Sequence, residues 1–144
     1  MTTADQQALT TALSAEYAAV YAYGVIAAYA NTDRAKLVSE YAAAHRARRD
    51  ATADALSAAG GIVPAPSAAY TTPFPVNDPI PAAKLAVTVE GDCAIAWRSA
   101  VEQATTDEIR RTAITALTDS ALRLATWQSI LGTTPATLPF PGQP

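Results

Sequence analysis

Six prolines, at positions 64, 66, 73, 75, 79 and 81, fall between Ile62 and Pro81. A prolyl ring removes a backbone donor and clashes with the preceding turn, so no helix runs through this stretch. The chain must therefore fold as two halves joined by a connection of about twenty residues. Loops of that length are unusual in a small domain. Here the prolines stiffen the segment, and Tyr70, Phe74 and Val76 give it side chains to pack against its neighbours.

On both sides of the connection alanine dominates, supplying 35 of 144 residues against ten Leu, eight Val and seven Ile. Alanine loses no side-chain entropy in a helix and lets helices approach closely. The pattern predicts four helices. Asp5 is a candidate cap for the first, running to about residue 30 with Leu9, Leu13, Val20, Tyr23 and Ala27 on one stripe. Asp33 is a candidate cap for the second, over 33–59, which stops at Gly60-Gly61. The third starts near Pro81 and reaches about 104; the fourth, capped within Thr105-Thr106-Asp107-Glu108, spans 107–131.

Very short turns at 31–32 and 105–106 force antiparallel neighbours, while the long connection can travel the length of a bundle. The expectation is a single all-α domain over 1–144: an antiparallel four-helix bundle with one long crossover between helices two and three. Residues 132–144 form a second proline-rich segment, read as a docked strap with Phe140 as its anchored ring.

Composition excludes several chemistries. A single Cys forbids an internal disulfide framework or a thiolate zinc site, and a single His forbids any site needing two imidazoles from one chain. A net charge of −3 gives no electrostatic footprint for nucleic acid. No apolar run reaches the ~18 residues of a membrane span. The N-terminus lacks the basic start and leucine-rich segment of a signal peptide, so cytoplasm is the expected compartment. Gly60-Gly61 follows a helix and opens none, which argues against a phosphate loop.

The informative residues are charges on stripes that otherwise read as core. Glu16 lies three after Leu13 and seven before Tyr23; His45 lies seven after Val38; Glu90 lies three before Cys93 and seven before Trp97. Asp119 is flanked at three positions by Ala116 and Leu122. Glu16 and His45 are 29 residues apart, as are Glu90 and Asp119, with each pair placed alike about its turn. At a common helical rise, all four side chains fall at one level of the bundle, as in metal sites built in bundle cores.

On these residues the chain resembles the ferritin-like superfamily. More narrowly, it is similar to small, alanine-rich actinobacterial proteins known only as ferritin-like domains of unknown function. The matching pieces are the segment from Ala15-Glu16-Tyr17 to Tyr21-Ala22-Tyr23-Gly24, Ala44-His45-Arg46-Ala47-Arg48-Arg49-Asp50, Tyr70 to Val76 with its Pro-Phe-Pro, and Pro139-Phe140-Pro141-Gly142. The resemblance implies the fold and brings no established activity. Di-iron members of the superfamily carry a lone Glu on helices one and three and a Glu-x-x-His pair on helices two and four. Glu16, Glu90 and His45 match parts of that set, but Ala42 and Ala116 stand where the bridging carboxylates belong, and Asp119 where the second His would fall. Nothing would then hold two cations about 3.5–4 Å apart.

Three readings follow. One is a degenerate site for a single divalent metal (iron, manganese or zinc) held by Glu16, His45, Glu90 and Asp119. Another is a metal-free polar core in which Arg48 and Arg49, one turn beyond His45, pair with the carboxylates. In the third, a shifted register places some of these residues in solvent. The metal-free core is the expectation adopted, with no cofactor and no catalytic residue: a structural or interaction module, non-enzymatic or no longer enzymatic. The runner-up is a metal-binding protein or oxidoreductase using Glu16, His45 and Glu90, and a different class is a small-molecule binder with a pocket lined by Tyr and Trp. Cys93 reads as a small buried hydrophobe, and the Arg46 to Arg49 run as a source of internal salt bridges. The tyrosines at 17, 21, 23, 29 and 41 read as gap fillers that send hydroxyls to the surface or to a buried carboxylate, and Trp97 and Trp127 as large core or interface fillers. Since alanine-lined helices offer little large apolar surface, a homodimer burying Tyr and Trp is expected, without nucleic-acid or membrane partners.

Overall fold

The computed structural model describes residues 2–144 and, among them, helices without strands. Helix α1 spans Thr3–Tyr29, a 3₁₀ turn Thr32–Arg34 leads into α2 (Ala35–Ala58), and α3 (Pro79–Gln103) and α4 (Asp107–Ile130) follow the non-helical connection. α1 packs against both α2 and α3, and α3 against α4. No helix among the described residues is long and apolar enough to cross a membrane.

The helix boundaries follow local chemistry, with two corrections to the expected caps. Thr2, not Asp5, caps α1: its hydroxyl accepts from the Asp5 amide while the Asp5 carboxylate accepts from the Thr2 amide, a reciprocal box. Asp33 does not cap α2. Asn31 caps the 3₁₀ turn instead, accepting from the Asp33 amide, and α2 begins with no side-chain cap. Asp78 caps α3 ahead of Pro79, and Thr106 caps α4. α2 and α4 both end by passing their orphan carbonyls to a glycine turn: Gly60 and Gly132 sit at φ +76, and the amides of Gly61 and Thr133 close back onto Leu56 and Gln128.

Two apolar clusters fill the interior. One holds Leu9, Leu13, Leu56, Trp97 and Ala113; the other holds Tyr23, Ile26, Val38, Leu85 and Trp127. Burying each of the larger aliphatic side chains contributes about 1.5–3 kcal/mol. In chain order, His45 and Glu90 fall between the two clusters on their helices, and Glu16 falls within the first cluster's stretch of α1, before the second begins. Trp97 and Trp127 are core fillers, the first of the two roles expected of them, and offer no ring to an interface.

The connection rests on the bundle through Phe74 and Val76, which pack on the second cluster, and through Tyr70, whose ring stacks on Tyr21 at 5.2 Å. The C-terminal segment docks differently from expectation. Phe140 and Leu138 are mostly exposed, and the buried element is Gly142, so close to Ala94 and Arg98 of α3 that a Cβ would collide with their backbone and side chain. This backbone contact and the Pro141 carbonyl, which accepts from Arg98 at 3.5 Å, hold the segment without an anchored ring.

Candidate functional site: a buried acid–imidazole–guanidinium cluster

Glu16, His45 and Glu90 are each 0% exposed and meet in the centre of the bundle. Small neighbours make this approach feasible: Ala12 and Ala19 on α1, and Ala86 and Ala94 on α3, are themselves fully or almost fully buried. His45 bridges the two acids, Nδ1 lying 2.6 Å from Glu16 Oε2 and Nε2 lying 2.9 Å from Glu90 Oε2. Trp97 Nε1–H donates to Glu16 Oε1 at 2.9 Å. The Tyr23 hydroxyl donates to Glu90 Oε2 at 2.5 Å and accepts from Trp127 Nε1–H at 3.0 Å.

The fourth helix contributes Arg123, whose Nε–H is shared between both Glu90 oxygens at 3.1 Å. Its guanidinium also donates to buried Ser120 at 3.3 Å and lies 5.9 Å from the centre of the Tyr41 ring. Two carboxylates thus face an imidazole and a guanidinium, and with His45 protonated the four charges cancel. Burial alone would strip the proton from His45, but the hydrogen bonds to Glu16 and Glu90 outweigh it and push its pKa up to about 9. Burial and the adjacent Glu90 hold the Tyr23 hydroxyl protonated far above the ordinary tyrosine range. Among the described residues no buried side-chain nitrogen or oxygen lacks a partner.

Cys93 completes the surroundings. A carboxylate oxygen of Glu16, a ring nitrogen of His45 and Cys93 Sγ lie within 4.8 Å of one another. Its thiol points at the Ala15 carbonyl at 3.7 Å, and burial, reinforced by Glu16 and Glu90, pushes its pKa well up.

The expected residues divide cleanly. Glu16, His45 and Glu90 converge; Asp119 does not join them. Its carboxylate is 45% exposed and takes an ion pair from Arg48 at 3.3 Å. The buried position is the next one, Ser120, so the stripe of α4 runs Ala116, Ser120, Arg123, Trp127. Arg48 and Arg49 are not partners of the buried acids. Arg48 lies at the surface edge near the Trp97 ring, and Arg49 pairs with its neighbour Asp50. The physical reason is placement: Arg48 and Arg49 meet Asp119 and Asp50 towards the surface, while His45 and Trp97 reach Glu16, and Tyr23, His45 and Arg123 reach Glu90, from inside. Arg123 escaped sequence reasoning although it stands seven residues after Ala116, a spacing that marks the same face.

A family described as "Domain of unknown function (DUF4439)" matches residues 8–144. The chain belongs to this family. A crystal structure of a conserved hypothetical protein, rv2844, from Mycobacterium tuberculosis superposes with a TM-score of 0.87 at 40% sequence identity. The match covers 90% of this chain and 98% of the mycobacterial one. No functionally curated protein matches the chain.

Proposed function

We propose that this DUF4439 domain is a structural or interaction module on a ferritin-like bundle, with a charge-balanced polar core where related bundles bind metal. The observation that carries this reading is the Arg123 guanidinium bonded to both oxygens of Glu90, in a cluster where every donor and acceptor is already engaged. A di-iron centre does not suit these residues. Ala42 and Ala116 offer no bridging carboxylate, and a guanidinium beside Glu90 repels a second cation. A buried ion network of this kind defines which helices may pair and at what register, at some cost in stability.

The alternative is a single divalent metal held by Glu16, His45 and Glu90; Glu16, His45 and Cys93 have ligand atoms within 4.8 Å of one another, and Glu90 lies against the other ring nitrogen of His45. Binding would require His45 to surrender a proton and a hydrogen-bond partner, and Arg123 to leave Glu90. Elemental analysis of protein purified without chelators separates the two. The polar-core reading expects substoichiometric metal and unchanged content on His45→Ala; stoichiometric metal lost in that variant overturns it. As a module the chain is expected to form a homodimer in the cytoplasm, and a monomeric mass at tens of micromolar by light scattering would refute the assembly.

A further inference from the structure

Of the Arg46 to Arg49 run, Arg48 and Arg49 are absorbed by ion pairs, whereas Arg46 is exposed and makes none among the described residues. It stands at a groove of about 390 Å³ between α1 and α2. Gly24, Ala27, Val38 and Ala42 give the groove apolar walls, Ser39 adds a hydroxyl, and Arg46 is the one charged side chain in the lining. Ligand sites of small proteins have this make-up: a concave apolar surface of about 300–1,000 Å³ with a few polar groups that orient the guest.

Gly24 supplies a second observation. It lies in the interior of α1, where glycine costs about 0.5–1 kcal/mol relative to alanine. Its φ is not positive, and a Cβ built on it meets nothing within 4 Å. Neither backbone geometry nor close packing within the chain calls for glycine there. Its absent side chain leaves the groove open.

We propose that the α1–α2 groove binds a small amphipathic carboxylate, its aromatic or aliphatic body against Gly24, Ala27, Val38 and Ala42 and its carboxylate on Arg46. A cation with no acid in the lining selects an anion, and a planar guanidinium suits a carboxylate through two parallel hydrogen bonds. The site lies beside the buried cluster but uses none of its charged groups, so it stands whether or not the polar-core reading holds.

The test is NMR titration of the full chain with 4-phenylbutanoate, using 4-phenylbutanamide as the uncharged control. The carboxylate is expected to bind with Kd about 1 mM or tighter, a value in keeping with about a dozen non-hydrogen atoms, and to shift the amides of Gly24, Ala27 and Val38. Arg46→Gln should weaken the carboxylate about 5–10-fold and leave the amide unchanged. Gly24→Leu should abolish both, and Gly24→Ala, which removes less space and favours the helix, provides the folded control and should weaken both by a smaller factor. Equal affinity for acid and amide, indifference to Arg46→Gln, shifts mapping elsewhere, or no binding at 10 mM would each overturn the proposal.

Discussion

Asp5, where α1 meets the α3–α4 turn, is as inaccessible to solvent as Glu16 and Glu90 at the centre of the bundle, yet among the described residues it takes part in no ion pair. Its oxygens accept from the amide and hydroxyl of Thr105 and from the amide and hydroxyl of Thr2, which ties the start of α1 to the start of α4. Those bonds, the Thr105 hydroxyl first, hold its carboxyl well below the usual range. The central acids rely on His45 and Arg123 instead. A carboxylate at the rim can thus be neutralised by a few aligned dipoles, whereas two acids meeting in the middle need full countercharge.

The difference is best broken by removing one member from each site. Glu90→Ala leaves Arg123, His45 and Tyr23 without their shared acceptor and should cost about 3–5 kcal/mol in urea unfolding, or prevent folding. Replacing Glu16, His45, Glu90 and Arg123 together by apolar residues of similar volume, in a background carrying Tyr23→Phe and Trp97→Phe so that neither donor to the acids is orphaned, should be far milder and leave the fold intact, because the desolvation cost leaves with the polar groups. A quadruple variant as damaged as Glu90→Ala would show that the cluster stabilises the bundle outright.

The pH responses have opposite signs. His45 titrates near 6.5 when unfolded and near 9 in place, so its contribution is complete below pH 6.5 and is lost as pH rises through 9. The loss amounts to about 3 kcal/mol over that window, and His45→Gln should flatten it. Asp5 contributes above its ordinary 3.8 and loses its stabilising effect as pH falls below that value. Asp5→Ala should therefore cost about 1–2 kcal/mol at neutral pH and remove part of the acid limb, leaving the alkaline limb as in the parent. An alkaline limb that persists in His45→Gln would dissolve the contrast.

The smallest expected effect is at Arg49. Arg49→Ala should change stability by less than about 0.5 kcal/mol, in keeping with a surface pair to Asp50, while Arg123→Ala should approach the Glu90 loss.

The bundle was legible in the sequence because proline, glycine and alanine act locally: each constrains the backbone at its own position whatever the tertiary context. Glu16, His45 and Glu90 were legible because three apolar stripes each carried one misplaced charge. Partner choice was not. Arg48 and Arg49 stood one turn beyond His45 along the chain, but pairing depends on which helix faces which, and α4 brought Arg123 to the acid from 33 residues away. On α4 itself, Asp119 and Ser120 differ by one position, about 100° of rotation, which a sparse apolar pattern does not resolve.

Cys93 has a consequence of its own. The chain's lone thiol sits 0% exposed against the Ala15 carbonyl, in the middle of the molecule, where a maleimide cannot reach it while the helices stay together. Its labelling rate is therefore a native clock for how often the bundle parts at its centre. No probe has to be engineered to read it.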